Sequence, residues 1–145
     1  QLTNMSSHTM AGTFIKTALN GNYYVQVQTT TNASGRLNLY VYNTNDSAFE
    51  FVFDIGRNTW SSNYVSQSVS HNLAKSVSLE LQTPLPTMLT FGVEVQGSNF
   101  FVYANGQQVG NSNTIFAIPN GTSTAGVGVD PGSSISIKNF AVYSE

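Results

Sequence analysis

The sequence predicts an all-β protein, an antiparallel two-sheet sandwich formed by a single domain over residues 1–145. Three observations carry that expectation. Short runs alternate apolar and polar residues; turn residues separate the runs about every 8 to 12 positions; and no helix-length stretch shows a 3.6-residue apolar period.

The elements follow in order. Strands are expected in GTFIKTAL from Gly12, YYVQVQTT from Tyr23, RLNLYVYN from Arg36 and SAFEFVFDI from Ser47. In the second, Val25 and Val27 alternate with Gln26 and Gln28; in the third, Leu37, Leu39 and Val41 alternate with Asn38, Tyr40 and Tyr42. One buried and one wet face per strand is what two packed sheets require. TWSSNYVSQSV from Thr59 is a weaker strand, followed by SVSLELQT from Ser76 and TMLTFGVEVQG from Thr87. Pro84 and Pro86 between the last two mark a loop. GSNFFVYANGQQVG, residues 97–110, reads as a hairpin, because Asn105-Gly106 supplies the positive φ angles of a type I′ turn. NTIFAI from Asn113, AGVGVD from Ala125 and SISIKNFAVYS from Ser134 complete the set, and residues 1–8 are expected to fray. Asp130-Pro131-Gly132 reads as a type II turn in preference to a calcium loop.

Composition narrows the function. Charged residues make up 8% of the chain, about a third of the usual share, so amides and hydroxyls wet the surface. The net charge of −2 and the lack of a basic stripe argue against a nucleic-acid partner. No apolar run reaches the length of a membrane-spanning helix. With no cysteine, disulfides, thiolate metal sites and cysteine nucleophiles are excluded. There is no His pair, EF-hand loop, phosphate loop or nucleophile elbow, so neither metal nor cofactor is expected. Sequons at Asn4, Asn32, Asn45 and Asn120 fit a secreted, glycosylated protein.

The segment TFGVEVQGSNFFVYANGQQVGNSN, followed by IPNGTSTAGVGVDPGSSISIKNFAVY, resembles the galectin and concanavalin-A-like lectins. Laminin-G-type domains share that jelly roll. The likeness covers residues 87–143, and the opening AGTFIKTALNGNYYVQVQT is similar to a galectin start. The resemblance implies a jelly roll that binds carbohydrate, with the FFVYANGQQVG hairpin on the sheet behind the sugar face. It places Phe53, Ile55 and Arg57 at the family's H-x-N-x-R positions, where Arg57 alone matches. The W-G-x-E-x-R motif is absent, and Trp60 follows Arg57 too closely to replace it, so the β-galactoside signature is broken.

The candidate ligand-binding residues are Asp54, Arg57, Asn58, Trp60, Asn63 and His71. An aromatic ring suits the apolar face of a sugar, while carboxylate, guanidinium and amide suit its hydroxyls. Trp60 has a competing reading as a core residue, Asp54 and Arg57 as a surface ion pair, and His71 and His8 as solvated side chains. Glu50 and Asp54 share one strand face, but four residues of strand separate them by about 13 Å, too far for a glycosidase pair. Glu80 and Glu94 read as outward charges. The expected protein is a non-catalytic lectin whose partners are glycans or glycoproteins, assembled as a homo-oligomer, by default a dimer. A laminin-G-like protein-binding module and a jelly-roll glycoside hydrolase are the alternatives.

Overall fold

The computed structural model describes residues 2–3, 11–15, 21–30, 35–119, 123–130 and 132–144. The expectations for His8, Asn4, Asn32, Asn120 and residues 4–8 fall outside them. Among the described residues there are strands and no helix.

The strands are β1 (Leu2–Thr3), β2 (Ala11–Ile15), β3 (Tyr23–Thr30), β4 (Arg36–Asn43), β5 (Ser47–Asp54), β6 (Thr59–Ser66) and β7 (Val69–Ser78). After them come β8 (Met88–Gln96), β9 (Asn99–Ala104), β10 (Gln107–Asn113), β11 (Thr124–Val129), β12 (Ser134–Ile135) and β13 (Ile137–Ser144). One sheet runs β10-β9-β8-β3-β13 and the other β2-β11-β4-β5-β6-β7; β1 and β12 pair separately. All pairings are antiparallel. The all-β jelly-roll sandwich expected from the sequence is the observed fold.

The two inner faces build one core. Val25, Val27, Phe91, Val93, Phe100 and Val102 from the five-stranded sheet meet Leu37, Leu39, Phe49, Phe51, Phe53 and Trp60 from the other. Aromatic rings lock the layers together: Phe53 stacks on Phe91 with centroids 4.9 Å apart, and Phe100 lies 5.1 Å from Phe49 and 5.3 Å from Phe51. Burying each such side chain is worth about 1.5–3 kcal/mol.

Turn chemistry matches expectation at the hairpin. Asn105 and Gly106 have φ of 52° and 79°, and Ala104 pairs with Gln107 across them. The Asp130 turn closes through Ser133 N–H donating to Asp130 C=O at 3.1 Å, with Gly132 at φ 80°.

Three local expectations are corrected. Tyr42 does not join Asn38 and Tyr40 on the outer face of the sheet, and those two are themselves buried there instead of wet. An irregularity in the β11–β4 register and a φ of 50° turn it into the core, where its hydroxyl donates to Gly97 C=O at 3.0 Å. SVSLELQT is not a strand throughout: β7 ends at Ser78, and Glu80 has φ 55°. Asn58 holds the segment beyond, accepting from Leu79 N–H at its carbonyl (2.9 Å) and from Leu81 N–H at its side chain (3.0 Å). That places Leu79 in the core, with Leu81 and Leu85 packed against it. NTIFAI is likewise no strand, since β10 stops at Asn113 and Phe116 and Ile118 cover the core from a loop.

Candidate functional site

The outer face of the six-stranded sheet carries a cleft of about 580 Å³ on β4, β5, β6 and β7. Period-2 alternation builds it. On β4, Leu37 and Leu39 go inward, which sends Arg36 and Asn38 outward; on β5, Phe49, Phe51 and Phe53 go inward, which sends Glu50, Val52 and Asp54 outward. β6 adds Thr59, Ser61 and Asn63. Asp130, just past β11, closes one side.

β7 reaches the cleft through irregular pairing. Ser61 of β6 faces two residues, Lys75 and Ser76, because the register jumps from Trp60↔Val77 to Ser62↔Ala74. Ser76 takes φ 51° there. A bulge of this kind re-aims side chains, and both Lys75 and Ser76 line the cleft. A second register shift follows at Leu73, where Asn72 Nδ2 donates to Ala74 C=O at 3.0 Å.

Side-chain bonds cross the sheet in two rows. In the first, Asn72, Asn63, Glu50 and Tyr40 are direct cross-strand neighbours. Asn72 Nδ2 donates to Asn63 Oδ1 at 3.2 Å, Asn63 Nδ2 donates to Glu50 Oε1 at 3.2 Å, and the Tyr40 phenol bonds Glu50 from the other side. Burial holds the Glu50 carboxyl above its ordinary range, against the two hydrogen bonds that lower it and with the Asp130 charge adding to the rise. Burial, then the Glu50 charge, pushes the Tyr40 hydroxyl far above its ordinary range, so it remains a donor.

In the second row Arg36 bridges two carboxylates. Its Nε lies 3.3 Å from Asp54 Oδ2 and its guanidinium 3.9 Å from Asp130 Oδ2. Asn38 Nδ2 donates to Asp130 Oδ1 at 2.7 Å. Asp54 Oδ1 also accepts the backbone N–H of Arg57 at 3.0 Å, which shapes the turn between β5 and β6. Arg57 Nε stands 3.9 Å from Asp54 Oδ2.

The chain has twelve charged residues, and six of them line this cleft: Arg36, Glu50, Asp54, Arg57, Lys75 and Asp130. In sequence they are spread over nearly a hundred positions. Only the topology gathers them.

Of the six candidates from sequence, Asp54, Arg57 and Asn63 meet in the cleft. Trp60 does not. It is 1% exposed, faces the core opposite β10, and donates from Nε1 to Val109 C=O at 3.3 Å, so its ring is closed to a ligand. Alternation decides this: Trp60 pairs with Phe53, and both are inward positions. Asn58 is taken up by Leu79 and Leu81, as described. His71 stacks with Tyr64 and Phe116, at centroid distances of 6.2 and 5.1 Å, away from the cleft lining. Phe53 and Ile55, placed at the family's motif positions by resemblance, are core residues; the outward positions of that strand are Glu50, Val52 and Asp54.

Arg36, Asn38, Asn72, Lys75 and Asp130 were not singled out as binding residues from sequence. The signal for Arg36 and Asn38 lay in the alternation of RLNLYVYN, since they oppose Leu37 and Leu39. Asn72, Lys75 and Asp130 had none, because bulges and a turn position them. The FFVYANGQQVG hairpin lies in the five-stranded sheet, opposite the cleft. Among the described residues no cluster of three or more His, Cys, Asp or Glu side chains is arranged to hold a metal, and no helix is long and apolar enough to cross a membrane.

No family model matches the chain, and no curated protein matches it. Solved structures do. The carbohydrate-binding module CBM66 from Bacillus subtilis superposes with TM-score 0.68 at 13% identity, over 92% of this chain and 83% of that one. A tetrameric galectin from the ball sponge Cinachyrella sp. gives TM-score 0.64 at 18% identity, over 92% of this chain and 99% of that one. Toad ovary galectin in complex with thio-digalactose gives TM-score 0.64 at 11% identity, over 91% and 98%. Strand order, sandwich architecture and these superpositions together show that the chain has the galectin-like jelly-roll fold.

Proposed function

We propose that this protein is a lectin that binds glycans without catalysis, through the outer face of β4–β7. One observation carries the reading: half the charges of a charge-poor chain converge in one open cleft, interleaved with amides and hydroxyls. Sugar hydroxyls both donate and accept, so a lining of Arg, Asn, Ser and carboxylate groups supplies both partners. The toad galectin was solved with thio-digalactose and the Bacillus protein is a carbohydrate-binding module, which supports the same use of this fold.

Catalysis by Glu50 and Asp54 is disfavoured by geometry. Four residues of strand place them about 13 Å apart, beyond both the retaining and the inverting separations. Asp54 is also engaged by Arg36 and Arg57. Weak single sites gain from repetition, so a homodimer through an edge strand, β2, β7, β10 or β13, belongs to the proposal. The sponge galectin is tetrameric. Secretion, with Asn45 glycosylated in the exposed β4–β5 turn, is part of the same reading. A protein-binding role has one observation in its favour, the fully exposed Ile115 beside the Tyr64–Phe116 stack.

The test is a glycan array probed with the protein and with Arg36→Ala, both checked for fold by circular dichroism. A discrete set of bound glycans, lost in Arg36→Ala, supports the lectin. Silence across the array, or binding indifferent to Arg36→Ala, overturns it. Sedimentation of the native protein tests the dimer.

A further inference from the structure

The cleft is layered by charge. Its carboxylates lie low: Asp54 and Asp130 side chains are 17% and 23% exposed. Each already has partners. Asp54 accepts from Arg36 Nε and from the Arg57 backbone, and Asp130 accepts from Asn38 Nδ2. Glu50 accepts from Asn63 and is bonded by Tyr40.

The cations stand high. The Arg57 side chain is 77% exposed, and its only ion pair among the described residues is a long 3.9 Å approach to Asp54. Lys75 lines the same cleft from β7 and is exposed, with no ion pair among the described residues. Local backbone puts both there, the β5–β6 turn for Arg57 and the β7 bulge for Lys75. An approaching ligand therefore meets guanidinium and ammonium donors first, while the carboxylates beneath already accept from Arg36, Asn38, Asn63 and the Arg57 backbone.

A neutral glycan can use the hydroxyls and amides of the lining, but it leaves the charge of these two exposed cations unmatched. A carboxylate or sulfate ester needs donors alone, and a guanidinium matches either in a fork. We propose that the ligand is an acidic glycan, whose carboxylate or sulfate seats between Arg57 and Lys75. The inference rests on the glycan-binding reading of the cleft and names its ligand class.

The test measures affinity by calorimetry for two matched pairs. Oligogalacturonate is compared with its methyl ester, and dextran sulfate with dextran. The acidic member of at least one pair is expected to bind about tenfold tighter or more, the factor of one hydrogen bond to a charged group. Which pair shows the effect distinguishes carboxylate from sulfate. The preference is expected to shrink from 50 to 500 mM NaCl, as screening of exposed charges requires. It is also expected to vanish in Arg57→Ala/Lys75→Ala, verified as folded, and to return in part in Arg57→Lys. Equal affinity for acidic and neutral members, or a preference that survives in the double variant, overturns the acidic-ligand inference and leaves the lectin reading standing. Binding to neither pair, with an array also silent, removes both.

Discussion

The indole of Trp60 fills the space that a side chain at position 110 would need. A Cβ built on Gly110 would stand 2.6 Å from Trp60 Cζ2, while Trp60 Nε1 bonds the carbonyl of the preceding residue, Val109, at 3.3 Å. The tryptophan of β6 is thus seated on the backbone of β10 in the facing sheet. This contact, absent from any motif, explains why the most conspicuous candidate for sugar stacking is a structural residue.

Gly110→Ala is expected to destabilise the fold by about 1–3 kcal/mol, the usual range for overpacking. Trp60 has nowhere to move, and φ of 151° already disfavours a side chain. Gly92→Ala also meets an aromatic ring, the phenol of Tyr24. That ring lies on the outer face and can swing away, so the loss there is expected to be smaller. Urea unfolding of the two variants checks the order, and a costlier Gly92→Ala would refute this account.

Trp60 predicts its own spectrum. Emission is expected to be blue-shifted and poorly quenched by iodide in the native state, and to shift red on unfolding. Trp60→Ala is expected to cost about 3–5 kcal/mol, as for other buried aromatics. Strong iodide quenching of native protein would contradict the burial.

A second tie between the same strands is polar. The hydroxyls of Ser62 on β6 and Ser112 on β10 meet at 2.9 Å in the buried layer. Removing either leaves the other unsatisfied, which costs about 1–3 kcal/mol. The double variant Ser62→Ala/Ser112→Ala is expected to lose less than the sum of the singles. A double-mutant cycle in urea measures the coupling, and strict additivity would show that the hydroxyls act separately.

Glu50 sets a pH dependence. Burial raises its carboxyl above the ordinary 4.5 in the folded state. Between 4.5 and the raised value the folded protein holds a proton that the unfolded chain has released. The stability due to this group therefore falls as pH rises through that window and is level on either side. Glu50→Gln is expected to remove that slope, so its stability relative to the parent grows with pH. Urea melts across the acid range test the sign, and an advantage that shrinks with pH would reverse the assignment.

Much of the fold was legible because strand alternation is a local property. Val25 and Val27 inward, Gln26 and Gln28 outward, follow from backbone geometry alone, as does the type I′ turn at Asn105-Gly106. The same rule placed Glu50 and Asp54 on one face. The reading failed where the period broke, at the Tyr42 irregularity and the β7 bulges, since one extra residue flips every side chain beyond it.

By itself the sequence determined the fold class, the hairpin and the charge-poor surface, because each depends on near neighbours or on composition. The tertiary structure decided which residues meet. Arg36 reaches Asp130 only because β11, late in the chain, inserts beside β4, and Trp60, sent inward by alternation, meets the Val109 carbonyl only because β10 lies across the core. Those encounters join positions 49 to 94 residues apart, and pairing across such distances is settled by sheet topology, which no local pattern encodes.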